Sequence, residues 1–352
     1  MYIDIIKVFA PSTLAFFFGI LLTPILTHFL YKHKMWKKKA GKLAPDGRET
    51  PIFNELHKDK ETGTPRMGGV VIWFSTLVTI TVFFLLAIFW PGEATTKLNF
   101  LSRNQTWLPL FTLLVGALVG LADDLLQVKD GVDPKKAGLA FSYRLLAVII
   151  LGLIGAYWFY FKLGMDSLSI PFGGSWYIGA WIIPLFVVVM VALFSSGVID
   201  GIDGLAGGVL AAIFAAYTGI AFFQHQIDLA AFCAAITGGT LAFLWFNIPP
   251  ARFYMSETGI LGLTTALTVV AFLTDSVLVL PIIAAPLLAT AGSVILQLLS
   301  KKIRNGKKIF RVAPIHHHFE ALGWPAYKVV MRYWVISIIC AIIGMIIVLI
   351  SK

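Results

Sequence analysis

The chain has 352 residues, of which 58% are hydrophobic and 13% charged, with a formal net charge of +10. A water-soluble domain carries about a quarter charged residues, so the composition excludes an ordinary soluble enzyme. In a soluble protein the basic excess would point to nucleic acid; here loop topology accounts for it, and no nucleic-acid partner is expected.

A helix that crosses a bilayer needs about 20 mostly apolar residues. Ten blocks qualify in chain order: Pro11–Leu30, Gly68–Trp90, Trp107–Ala122, Leu139–Phe161, Tyr177–Phe194, Leu205–Phe223, Leu229–Phe246, Gly259–Leu273, Val277–Leu299 and Trp334–Ile350. They are continuously apolar rather than alternating, which selects helices over barrel strands. The expected fold is therefore all-α and integral to the membrane: a bundle of about ten transmembrane helices spanning residues 1–352 as one polytopic domain. A strong basic cluster follows the first block instead of preceding it. That order describes a retained first span with the N-terminus outside, not a cleaved signal. The polar stretch Lys162–Trp176, with Gly173-Gly174, suggests a small outer hairpin. Cys233 and Cys340 both lie inside apolar blocks and read as packing residues.

Ten spans place the segments Tyr31–Met67, Asp123–Arg144, Ser195–Gly204, Asn247–Thr258 and Ser300–Tyr333 on one side. Of the 28 Lys and Arg residues, all but Lys7, Lys97, Arg103, Lys162 and Lys352 fall there. The positive-inside rule makes that side cytoplasmic. Of the 18 acidic residues, all but Asp4, Glu93, Asp166, Asp228 and Asp275 share it. The rule does not require this of acids, so the cytoplasmic face is expected to hold the active site.

Four motifs lie on that face. Asp123-Asp124 ends the third apolar block. Two carboxylates beside hydrocarbon are costly unless compensated, and a hard divalent ion would compensate them; an ordinary helix end in the headgroup zone is the alternative. Asp200-Gly-Ile-Asp203-Gly-Leu opens the sixth block, with the two carboxylates on one helical face. They suit either chemistry or a helix cap. Glu257 stands at the start of the eighth block, where a carboxylate alone is a routine cap. His316-His317-His318 lies in the last cytoplasmic segment. One or two of these imidazoles suit a phosphate contact or a proton shuttle; a solvated surface run is the alternative. Lys60, Arg144, Arg252, Arg304, Lys307, Lys308 and Arg311 surround these groups. Carboxylates, Mg²⁺ and cations together are the equipment for phosphoryl transfer, which depends on positioning and charge neutralisation.

On these residues the chain resembles the phospho-N-acetylmuramoyl-pentapeptide transferase family, a branch of the polyprenyl-phosphate N-acetylhexosamine-1-phosphate transferase superfamily. The resemblance rests on Gly63-Thr-Pro-Arg-Met-Gly-Gly69, Asp123-Asp124, Asp200-Gly-Ile-Asp-Gly-Leu205, Phe246-Asn247, and Ala313-Pro-Ile-His-His-His-Phe-Glu320 with Gly323-Trp-Pro325. It implies ten spans, a homodimer in the bacterial cytoplasmic (inner) membrane, and Mg²⁺. It also implies transfer of phospho-N-acetylmuramoyl-pentapeptide from its UDP carrier (UDP-MurNAc-pentapeptide) to undecaprenyl phosphate, with release of UMP. By motif match Asp123, Asp124 and His316 are catalytic. Lys60, Asp200, Asp203, Asn247, His317 and His318 bind substrate, and Glu257 binds the metal. Lys60 matches only with one residue inserted before Gly63.

The chain departs from the family pattern at several places. Gly197 and Phe194 stand where Asn is usual, Glu257 where Asp is usual, Arg66 where Thr is usual, and Arg144 where Lys is usual. A sister enzyme using UDP-N-acetylglucosamine is the nearer rival, against which the His316–His318 run speaks. A transporter is the rival from another class. It would carry its polar residues near the midplane of broken helices, whereas these acids cluster at helix ends.

Overall fold

The structure is a computed structural model; it describes residues 2–38, 62–129 and 138–351. The chain is an all-α integral membrane protein. Among the described residues nine helical stretches are long and apolar enough to cross a bilayer. The elements in order are α1 (Tyr2–Lys32), α2 (Val70–Phe89), the short α3 (Glu93–Leu98), α4 (Trp107–Val128) and α5 (Phe141–Tyr157), which continues through a π turn at Trp158–Lys162. A hairpin of β1 (Ser167–Ile170) and β2 (Gly174–Tyr177) follows. Then come α6 (Ile182–Ser195), α7 (Leu205–Phe223), α8 (Ile227–Asn247), α9 (Ser256–Leu273), α10 (Leu280–Ile283), α11 (Ala285–Ile303), α12 (Ile315–Ala321) and α13 (Ala326–Ile350).

Nine of the ten expected blocks appear as such helices. The exception is Val277–Leu299, which is broken at Ala284 into α10 and α11. The residues around the break are Leu280-Pro-Ile-Ile-Ala-Ala-Pro286. Pro281 and Pro286 each sit in a first helical turn, where the missing N–H costs nothing. No ionisable side chain lies in that stretch, unlike the ion sites of transporter helix breaks. The third block also runs further than its apolar length implied. Helix α4 extends to Val128, so Asp123 and Asp124 lie within a helix rather than beyond its end.

The expected hairpin is present, with Ser167 opposite Tyr177 and Ile170 opposite Gly174. Asp275, in the turn after α9, holds it: the N–H of Ser169 donates to Asp275 Oδ1 at 3.1 Å, and the Ser169 hydroxyl donates to Oδ2.

Helices α8 and α9 form the centre; nearly every position of α9 from Gly259 to Phe272 is buried. The outer helices show apolar surface instead: Phe17, Leu21 and Ile25 on α1 are 56%, 67% and 71% exposed. Such a face would be a liability in water and suits lipid. Inside the bundle, packing has no hydrophobic driving force against lipid and depends on close backbone approach. Helices α4 and α9 achieve this through glycine. A Cβ on Gly116 would lie 2.6 Å from Thr265 Oγ1 and 2.8 Å from Leu261 O, and one on Gly120 would run into the carbonyl of Glu257. Thr265 Oγ1 donates across the seam to Thr112 O at 2.8 Å. The Gly116–Gly120 spacing thus brings the Asp123-Asp124 turn alongside the start of α9.

Gly120→Leu is expected to overpack this seam, at about 1–3 kcal/mol, and to lower the thermal midpoint of the detergent-purified protein. Gly292, with nothing within 4 Å of a built Cβ, supplies the control; Gly292→Ala should melt like the parent. Equal melting of Gly120→Leu and the parent in a heated size-exclusion series would contradict the seam.

Candidate active site

The site is built on the first turn of α9. A helix N-terminus leaves backbone N–H groups without intrahelical partners. Two carboxylates from other elements accept them. Ser256 N donates to Asp200 Oδ2 at 2.8 Å, and Thr258 N donates to Asp124 Oδ2 at 3.0 Å. Thr258 Oγ1 donates to the same Asp124 oxygen at 2.6 Å. Glu257 lies between these two anchored residues. Ser256 has a left-handed φ of +57°, uncommon outside glycine, and its bond to Asp200 holds that conformation.

Asp123 and Asp124 are 1% and 0% exposed. As neighbours on a helix they turn to different partners. Asp124 Oδ1 accepts from Arg66 Nε at 3.0 Å. Asp123 Oδ1 accepts from the backbone N–H of Leu139 at 2.5 Å, and Oδ2 from Gln127 Nε2 at 2.8 Å. Gly138, at φ +88°, precedes Leu139; a side chain there would lie 2.6 Å from Asp123 Oδ1. Arg144 Nη1 reaches both Asp123 Oδ2, at 3.4 Å, and Glu257 Oε1. The pair is therefore split between two guanidinium groups, each serving a different wall of the site.

Arg66 is placed by its backbone. Tyr254 N donates to Pro65 O at 2.8 Å, Gly68 N to Tyr254 O at 2.8 Å and Gly69 N to Met255 O at 3.2 Å. Gly63-Thr-Pro-Arg-Met-Gly-Gly69 is thereby laid along the residues leading into α9. Burial works against the Arg66 charge, but the attraction of Asp124, Glu257 and Asp200 prevails and raises its pKa. Burial pushes the Asp200 carboxyl up to about 6, against the Ser256 N–H bond and Arg66, with Asp124 and Asp203 adding to the rise.

The Asp200–Gly204 turn is fixed from two sides. Asn247 Oδ1 accepts from Gly204 N at 2.8 Å while Nδ2 donates to Phe253 O at 2.9 Å, and Trp334 Nε1 donates to Gly204 O at 3.0 Å. Gly201 faces the histidines: a Cβ there would lie 2.5 Å from His316 Nε2 and 2.8 Å from His317 Nε2. His317 Nδ1 is 2.7 Å from Glu320 Oε2.

The loop before α12 is clamped to α11. Gln297 Oε1 accepts from Ile309 N and Phe310 N, both at 3.0 Å, and Nε2 donates to Phe310 O at 2.9 Å. Ser293 Oγ accepts from Ile315 N at 2.9 Å, and Ser300 Oγ donates to Lys307 O at 2.9 Å.

The structure thus gathers Asp123, Asp124, Glu257 and Asp200 around one helix start, with His316 and His317 against Gly201 beside Asp200; Asp203, on the same turn, is near enough to act on the charge of Asp200. Asn247 belongs to the scaffold, since both ends of its amide are taken by backbone. His318 serves the loop: its Nδ1 accepts from Arg311 N at 3.2 Å and its ring packs on Phe310. Lys60 lies outside the described residues. Thr258, Gln127 and the Gly138-Leu139 backbone were not legible as site groups. The only signal for them was general: buried carboxylates need donors.

Among the described residues no three Asp, Glu, His or Cys side chains converge as a closed ion cage. The donor set still suits a hard divalent cation. The carboxylates of Asp123, Asp124, Asp200, Asp203 and Glu257 outnumber the guanidinium groups of Arg66 and Arg144. An ion held by one or two carboxylates and completed by substrate phosphates would relieve that excess, as is usual for Mg²⁺.

A profile described as Glycosyl transferase family 4 matches residues 106–275. That stretch carries every gathered carboxylate but neither Arg66 nor the histidines. The phospho-N-acetylmuramoyl-pentapeptide-transferase of Listeria innocua is 34% identical over 337 residues, covering 95% of this chain and 96% of the relative. The protein of the same name from Latilactobacillus sakei is 35% identical, covering 94% and 99%. That from Thermodesulfovibrio yellowstonii is 32% identical, covering 94% and 90%.

Asn247→Ala is expected to leave the Gly204 N–H and Phe253 carbonyl unpaired in a buried setting, at about 1–3 kcal/mol for each group. Faster amide exchange over residues 200–204, with a lower thermal midpoint, is the expected result. Unchanged exchange there would mean that Asn247 does not hold the turn.

Proposed function

The chain belongs to the phospho-N-acetylmuramoyl-pentapeptide transferase family, and on that footing we propose that it transfers phospho-N-acetylmuramoyl-pentapeptide from UDP to undecaprenyl phosphate. An oxygen of the lipid phosphate attacks the sugar-bearing phosphorus. A new P–O–P bond forms, the old one to the uridylyl oxygen breaks, and UMP leaves. The product is the first lipid intermediate of peptidoglycan. The observation that carries the reading is the meeting of Asp123, Asp124, Asp200 and Glu257 at the start of α9, with His316 against Gly201 beside Asp200.

Each residue has a proposed task. Asp123, held by Leu139 N–H, Gln127 and Arg144, orients the lipid phosphate or takes its proton. Asp124 keeps the α9 turn in register. Asp200 and Asp203 with His316 and His317 receive the uridine diphosphate end. Glu257 is the proposed Mg²⁺ ligand, with substrate phosphates completing the shell. Mg²⁺, when bound, neutralises and orients the diphosphate. Arg144 restrains both Asp123 and Glu257, so one residue spaces the proposed base from the proposed ligand.

The reading includes an N-terminus outside, a site opening to the cytoplasm of a bacterial inner membrane, and a homodimer. The basic bias of the loops supports the orientation. The sister reaction with UDP-N-acetylglucosamine is disfavoured by near-full-length similarity to relatives named for the muramoyl-pentapeptide.

Purified protein given the muramoyl-pentapeptide nucleotide, undecaprenyl phosphate and MgCl₂ should release UMP, and UDP-N-acetylglucosamine should not substitute. Asp123→Asn should lower turnover by about 10²-fold or more, the scale of a lost general acid–base group. A folded protein whose release equals that of Asp123→Asn would refute the assignment. Glu257→Gln should raise the Mg²⁺ concentration for half-maximal rate by about tenfold, roughly 1.4 kcal/mol of ligand interaction. An unchanged Mg²⁺ titration would remove Glu257 from the ligands.

A further inference from the structure

Arg66 has half of its guanidinium committed and half open. Nε donates to Asp124 Oδ1 at 3.0 Å, and among the described residues neither Nη nitrogen makes a hydrogen bond. Asp124 cannot follow the guanidinium if it moves, because its other oxygen is fixed by Thr258 N and Oγ1. The Arg66 backbone is fixed as well: its N–H donates to Met35 O at 2.8 Å, and residues 65, 68 and 69 pair with residues 254 and 255. The side chain is 16% exposed. An arginine held at Nε presents its remaining N–H donors as a planar fork that matches two oxygens of a phosphate. Asp124 is therefore an orienting partner, and the Nη edge is the reactive one.

The site also needs such a group. The carboxylates gathered around α9 repel an incoming phosphate, and Arg144 spends its Nη1 on Asp123 and Glu257 while its Nε stays buried without a partner. Among the described residues the guanidinium of Arg66 pairs with the site through Nε and keeps its two Nη nitrogens, at a partly exposed position, for an incoming anion.

Resting on the transferase reading, we propose that the Nη edge of Arg66 is a phosphate-binding fork that holds two oxygens of the donor diphosphate or of the lipid phosphate during transfer. Arg66 is then a catalytic residue at a position where the resemblance leads one to expect threonine. A guanidinium there adds a fixed positive charge to the reacting centre without protein reorganisation.

The test compares the parent with Arg66→Lys, Arg66→Gln and Arg66→Thr in the full-length protein. Steady-state rates with each substrate varied separately distinguish the two phosphate sources. A rise of about tenfold or more in the donor KM assigns the fork to the diphosphate; the same rise in the acceptor KM assigns it to the lipid. Arg66→Lys should recover part of the loss, since it keeps the charge but not the fork. A direct titration with inorganic pyrophosphate does not depend on the reaction, and Arg66→Gln should bind it at least fivefold more weakly than the parent. Equal pyrophosphate affinity in parent and Arg66→Gln, no pyrophosphate binding by the parent, or both KM values within twofold of the parent in Arg66→Gln and Arg66→Thr would each overturn the fork. A fall in thermal midpoint with unchanged pyrophosphate affinity would overturn it too, by making Arg66 structural only. A parent that binds pyrophosphate through Arg66 but transfers no sugar phosphate would instead sink the transferase reading and leave the fork standing.

Discussion

The backbone N–H groups at the start of α9 are the constraint on which the rest of the site depends. They lie inside an apolar bundle, where an unpaired donor is expensive. Asp200 and Asp124 answer them from two other elements. Each bond serves both sides: the helix start gains an acceptor, and the carboxylate gains a donor and the favourable end of the helix dipole. The turn that holds Glu257 is thus determined by residues more than fifty and more than a hundred positions away. Its own sequence specifies little of it.

Charge follows from this arrangement. Buried carboxylates survive only when compensated. Here the compensation is divided: Arg66 serves Asp124, while Arg144 spans Asp123 and Glu257. Backbone N–H groups, Thr258 and Gln127 supply the remaining donors. Both arginines stand where the resemblance leads one to expect other side chains. The site is therefore a variation in how its acids are neutralised, with the acids themselves retained apart from the longer Glu257.

Much of this arrangement is legible in the amino-acid sequence. Continuous apolar blocks mark helices because the bilayer forbids exposed backbone, and nine of ten blocks were recovered as spans. The tenth is broken at Ala284, and the 19-residue helix beyond the break carries Gln297, Lys301 and Lys302. The acids at helix ends were legible as a group, since charge in such a chain is rare. What they bond to was not. Asn247 read as a substrate ligand because it lies in a motif, but its amide closes two backbone gaps. Pairings between distant segments leave no local trace, so Thr258 and Arg66 became partners of Asp124 only in three dimensions.

The clamp on α11 has a mechanical consequence. Ser293, Gln297 and Ser300 bind the following loop along one side of that helix, up to Ile315 at the threshold of the histidines. The loop therefore has little freedom of its own: five bonds from three side chains of one helix fix its course. The approach of His316 to Gly201 is thus inherited from where α11 lies, through Ile315, the residue that the last of these bonds holds.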